Sequence, residues 1–199
     1  MPPVIHRDRD GLERRWIAQR VAKVSAVDDR LIRGMPIVFN SLSLDLGGFR
    51  EIITPEAVDR TLREQIDVRA LVDHDSAKIM GRRSAGTLTL RKDPDGIIAR
   101  IDPPDTSYAK DIVVSIERGD VDGMSFGFRV ITDEWRLQDG EPVREVHDME
   151  IREVSIVTFP AYEETDVSMA KRSLEAFLKA TAWQPSADFL AREARAARR

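Results

Sequence analysis

Apolar and polar positions alternate in short runs through most of the chain, and a few stretches replace that rhythm with helical spacing. Beyond Trp16, Val21, Val24 and Ala26 stand among polar residues as a strand. Leu31 to Phe39 reads as another, with Gly34 and Pro36 placing a bulge or a sheet edge inside it. Phe49 to Ile53, Val68 to Val72, Lys78 to Gly81 and Thr87 to Leu90 follow as short strands. The turn Asp93-Pro94-Asp95-Gly96 returns the chain into Ile97 to Ile101 as a hairpin. Met124 to Ile131 and Trp135 to Leu137 are strands. Asp139-Gly140 is a hairpin turn, and Val143 to Thr158 comes back with a break expected around His147-Asp148. Two helices interrupt the series. Thr54-Pro55-Glu56 is a helix start running to about Arg63. Ser107 to Arg118 carries Ala109, Ile112, Val113 and Ile116 at helical spacing and stops at Gly119.

This order predicts a mostly β protein with helices, arranged as a small, mainly antiparallel barrel or sandwich. After Tyr162 the pattern changes. Val167, Ala170, Leu174, Phe177 and Leu178 form an amphipathic helix, Trp183-Gln184-Pro185 breaks it, and an Ala/Arg-rich end follows. The expected organisation is a flexible segment over 1–16, one domain over 17–167, and a helical tail over 168–199. At 199 residues the chain can bury a sizeable core. Its net charge of -4 supplies no global basic field for nucleic acid, although both ends are rich in arginine. The chain has no cysteine, which fits a reducing compartment and leaves no thiol nucleophile. No apolar run approaches the roughly 20 residues of a membrane span, and the N-terminus lacks the apolar stretch of a secretory signal. The expectation is a cytoplasmic product.

Candidate chemistry centres on Ser125 in Gly123-Met124-Ser125-Phe126-Gly127-Phe128. Strand alternation puts Met124, Phe126 and Phe128 on one face and Ser125 and Gly127 on the other. The small residues there leave room for a substrate backbone. The plain alternative is a small residue on a packed face. With three histidines in all, the search for a base is short. His74, in Leu71-Val72-Asp73-His74-Asp75, ends an apolar strand, and histidine suits general-base work near neutrality. An acid is needed to orient it. Alternation through Ile151 to Val157 places Ile151, Glu153, Ser155 and Val157 on one face, and Glu153 is an acid inside an apolar strand that calls for a partner. Either a histidine or a cross-strand arginine such as Arg82 or Arg83 would serve. A metal reading of Asp73, His74, Asp75 and His147 lacks the usual ligand spacings. Neither a phosphate-binding glycine loop nor a Gly-x-Ser-x-Gly elbow is present.

Taken together, Asn40 to Glu51 with Ile53 to Val58, Leu71 to Asp75, Gly123 to Phe128, and Glu153 to Tyr162 resemble the tailed-phage (caudovirus) prohead serine proteases, over about Leu31 to Val167. The resemblance implies an assemblin-like fold, a small closed antiparallel barrel ringed by helices. It implies a serine endopeptidase of capsid maturation that cleaves scaffold or the major capsid protein's N-terminal arm, and then itself. It places the nucleophile on Ser125 and the base on His74. The third member falls on Glu153, favoured by a direct motif match, or on His147 if the second histidine of assemblins applies. Arg82 or Arg83 is a candidate to assist the oxyanion. No cofactor and no metal are implied, and the partners are capsid and scaffold proteins with a homodimer suggested by assemblins. The place of action is the host cytoplasm, inside the assembling prohead. A scaffold protein with a decayed site, and a metal-dependent hydrolase, are the competing readings.

Overall fold

The computed structural model describes residues 12–16, 24–27, 31–158, 168–181 and 183–196. The strands are β1 (Glu13–Trp16), β2 (Val24–Val27), β3 (Leu31–Val38), β4 (Arg50–Ile53), β5 (Arg69–Val72), β6 (Asp75–Arg82), β7 (Leu88–Asp93), β8 (Gly96–Ile101), β9 (Gly123–Gln138) and β10 (Glu141–Val157). Helices α1 (Asp59–Arg63), entered through a 3-10 turn at Pro55–Val58, α2 (Ser107–Arg118), α3 (Ser168–Thr181) and α4 (Ala187–Ala196) complete the set. One sheet runs β1-β9-β10-β5-β6, with β4 also paired to β10; the other runs β2-β3-β8-β7.

The long β9–β10 hairpin is the spine. Both β4 and β5 lie parallel to β10, one along Val143–Val146 and the other along Glu153–Ile156. From the hairpin, Met124, Phe126, Phe128, Ile151, Val154 and Ile156 enter one core with Ile32, Ile37, Leu88, Ile97 and Ile101 of the second sheet. Burying these side chains supplies the main driving force, at about 1.5–3 kcal/mol for each large one. Helix α2 ends as expected on Gly119, whose left-handed φ of 81° lets the chain turn off the last carbonyls.

Three expectations change. A closed antiparallel barrel is not formed: the described strands make two separate ladders, and the larger sheet curls into a half-barrel completed by side-chain packing. The sheet is also mixed, because β10 gives one edge to two parallel strands, and parallel pairing is invisible to a period-two pattern. Where a flexible segment was expected, Glu13–Trp16 is a strand, held on β9 by pairing that no local propensity announces. The remainder of that segment lies outside the described residues. The amphipathic helix expected beyond Val167 is present as α3 and is docked. Ala170 and Leu174 of α3 pack with Phe49 in a satellite core that Trp135 and Phe177 border, and Trp135 donates its indole N–H to Ser173 at 2.6 Å.

Candidate active site

The β5–β6 turn positions His74. Asp73 and His74 both take left-handed φ values, 47° and 59°, the pattern of a tight two-residue hairpin. Neither is glycine, so the turn stores strain on the order of 1–3 kcal/mol per residue. The end of β10 holds it closed: the Asp73 N–H donates to Ile156 O at 2.9 Å, and the Asp73 carboxylate accepts from Thr158 N–H at 2.9 Å. The imidazole thereby meets Glu153, with Nδ1 2.5 Å from Oε1.

Glu153 reaches this face through a bulge. Ile151 pairs with Phe128 and Glu153 with Gly127, so Arg152 is the extra residue and stands in solvent. The expected alternation, which kept Ile151 and Glu153 on one face, is corrected here. Without the bulge either the carboxylate would enter the apolar core or Ile151 would leave it. With it, Ile151, Val154 and Ile156 join the core while Glu153 and Ser155 face Gly127 and Ser125. Thr61 of α1 stitches the distorted strand, its hydroxyl accepting from Ile151 N–H at 2.9 Å and donating to Met149 O at 3.2 Å.

Gly127 is what makes room. A Cβ there would lie 2.6 Å from Glu153 Oε1. The space expected to admit a substrate backbone is filled by the carboxylate instead. Glu153 also accepts from Ser155 Oγ at 2.5 Å and from Arg14 Nε at 3.4 Å. Burial pushes its carboxyl up, but hydrogen bonding and charge from His74, with Ser155 and Arg14, outweigh that and hold it below the ordinary glutamate range. With Glu153 ionised, Nδ1 is the protonated nitrogen, and the neutral imidazole has its lone pair on Nε2. That nitrogen is buried and has no hydrogen-bond partner.

Ser125 is the cross-strand neighbour of Ser155 and is fully buried. Its hydroxyl donates to the carbonyl of Arg15 at 2.8 Å, not to His74. Residues outside the cluster sort plainly. His147 lies on the Val143–Val146 side of β10, 3.8 Å from Glu145 and 3.9 Å from Glu134, away from this cluster. Arg82 is tied to Asp67 at 2.7 Å. Arg83 donates to the carbonyls of Thr61 at 2.7 Å and Leu62 at 3.3 Å, closing the end of α1. Both arginines have their hydrogen bonds there, Arg82 with Asp67 and Arg83 with the end of α1. Asp75 caps Ala77 N–H at 2.9 Å. Among the described residues no three His, Asp or Glu side chains gather as metal ligands. Sequence reasoning found the open space at Gly127 but not its occupant, the Glu153 carboxylate, and it missed the Arg152 bulge and Arg14, for which the local pattern gives no signal.

A strained histidine turn, an ionised acid behind it and a serine on the same sheet face are the parts of a serine hydrolase. The caudovirus prohead serine protease family matches residues 20–180, and the chain belongs to that family. It is 28% identical over 145 residues to the prohead protease of Enterobacteria phage HK97, covering 71% of this chain and 60% of that relative's length. In fold it is similar to the bacteriophage T4 capsid assembly protease, with a TM-score of 0.53, 8% identity, and coverage of 75% of this chain and 98% of that one. No helix among the described residues is long and apolar enough to cross a membrane.

Proposed function

We propose that this chain is a serine endopeptidase of prohead maturation, acting inside the assembling shell on the major capsid protein's N-terminal arm or on scaffold. The observation that carries the reading is the His74–Glu153 contact of 2.5 Å, which leaves a buried, unpartnered Nε2 on the base. Ser125 is the nucleophile. For attack its hydroxyl turns from the Arg15 carbonyl to Nε2, which takes the proton as Oγ bonds to the peptide carbonyl carbon. Glu153 keeps Nδ1 protonated and offsets the imidazolium charge. The imidazolium then gives its proton to the departing amine as the C–N bond breaks. Water, deprotonated by His74, releases the acyl group and restores Ser125.

The chain with Ser125→Ala, co-expressed with the major capsid protein of its own phage, tests this. Wild type trims that protein, and the fragments are read by mass. The alanine variant keeps the wild-type circular dichroism and leaves it intact. Trimming by a folded Ser125→Ala chain overturns the assignment.

A further inference from the structure

Ser125 is the one member of the cluster whose hydroxyl is bound outside it. Its partner is β1, a strand of four residues lying antiparallel along β9, with Trp16 opposite Ser125 and Glu13 opposite Phe128. This strand lies ahead of residues 20–180, which the family matches. Without β1, the backbone of Ser125 to Phe128 is a bare sheet edge, and such an edge accepts an extended peptide as an added strand. A peptidase needs an extended segment that sets a carbonyl against its serine. The Glu13–Trp16 strand is such a segment, with the Arg15 carbonyl 2.8 Å from Ser125 Oγ. The contact is a resting one, because the serine proton goes to the carbonyl oxygen and not to His74.

The side chains of β1 fix its register. Arg14 reaches Glu153 at 3.4 Å. On the opposite face Arg15 donates to Glu51 at 2.8 and 3.1 Å, with its guanidinium carbon 5.3 Å from the centre of the Phe128 ring. Glu51 in turn accepts from Arg144 at 3.1 Å. Buried ion pairs return about what their desolvation costs, so this network specifies position more than it locks the strand down.

We propose that β1 is a displaceable strap holding the substrate's strand position in cis, and that an extended capsid-protein segment replaces it on the β9 edge before cleavage. The inference rests on the protease reading above. An incoming segment with Arg or Lys where Arg15 now sits re-forms the pair with Glu51, so substrates are basic at that position.

Two full-length variants loosen the strap: Arg15→Ala removes the guanidinium, and Trp16→Pro removes a strand N–H. Cleavage of capsid protein and labelling of Ser125 by a fluorophosphonate are followed against Ser125→Ala. If the strap holds most molecules closed, both readouts rise at least about tenfold in either folded variant. A synthetic peptide of residues 12–18 then suppresses them again, and the same peptide with Arg15→Glu does so weakly. Equal Ser125-dependent rates in wild type and variants overturn the strap and leave the protease standing. Slower cleavage by folded variants, or failure of both to fold, makes β1 a structural strand and also overturns it. Absence of any Ser125-dependent cleavage or labelling removes the protease reading and the strap together.

Discussion

Two buried polar clusters flank β9, and they differ in how completely they are satisfied. Glu13, Arg15, Glu51 and Arg144, each under 5% exposed, share charge-assisted hydrogen bonds of 2.5 to 3.3 Å, and Arg144 adds Asp133 at 2.5 Å. The guanidinium of Arg144 has a carboxylate on each side, and although burial works against its charge, Glu51 and Glu13 keep it protonated beyond its ordinary range. The second cluster, His74, Glu153, Ser155 and Ser125, is built around a single acid and keeps one buried nitrogen, His74 Nε2, without a partner. A fully paired cluster has no group left to give to chemistry. A buried base with a lone pair aimed at nothing is costly unless function retains it. The contrast separates architecture from reactivity within one sheet.

Breaking the reactive cluster should have the larger effect on rate. Glu153→Gln keeps the shape but can present an amide N–H to Nδ1 and removes the charge opposite the imidazolium. Its turnover of capsid protein should fall by roughly a thousand-fold or more, with the wild-type circular dichroism retained. If the glutamine variant retained a tenth of wild-type turnover, Glu153 would not be the orienting acid. The paired cluster should respond in the opposite sense. Arg144→Ala strips Asp133 of its guanidinium and leaves Glu13 and Glu51 to share Arg15 alone, and should cost about 3–5 kcal/mol in denaturant unfolding. Molecules that remain folded should still react with a fluorophosphonate at Ser125. A variant as stable as wild type would show that the network is not the structural element described.

Gly127→Ala tests the boundary between the two. Its Cβ would stand 2.6 Å from Glu153 Oε1, and the clash is with the carboxylate that meets His74. Stability should fall by about 1–3 kcal/mol, the range for overpacking, and activity should fall with it because Glu153 must move off His74. Restoration of activity by a second change at Glu153 to the shorter Asp would tie both effects to that contact. Activity like wild type in the single variant would mean the carboxylate can shift without consequence.

The parts of this site that were legible in sequence are those set by local chemistry. The Gly123 to Phe128 strand, the bulge near Gly34 and Pro36, and the helix from Ser107 to Arg118 all follow from residue type and spacing. What was not legible depends on partners far along the chain. Strand β1 exists because β9 offers an edge, and Glu153 faces Gly127 because an extra residue at Arg152 reverses the alternation. The open half-barrel likewise follows from β10 sharing one edge between β4 and β5, which alternation cannot foretell. The pairing of His74 with Glu153 was within reach only because both ends of it sat at element positions that needed a polar partner.

The smallest expected effect is on acid stability. Glu153 is held below the ordinary glutamate value of 4.5, so folding favours its ionised form. A carboxyl depressed by folding adds stability that is fully present above the unfolded value and is lost as pH falls through the folded one. The loss therefore begins below about pH 4.5 and deepens toward the folded value. Glu153→Gln has no such proton to take up. In urea titrations run from pH 6 down to pH 3, the wild-type midpoint should fall more steeply than that of the glutamine variant, the two curves converging as the carboxyl protonates. The Arg144 cluster offers the internal control. Arg144→Met should lower the midpoint already at pH 6, because Glu13, Glu51 and Asp133 lose the guanidinium they share. Parallel acid profiles for wild type and Glu153→Gln would mean that the His74 contact does not hold Glu153 ionised, and the division between a reactive and a structural cluster would then lose its electrostatic basis.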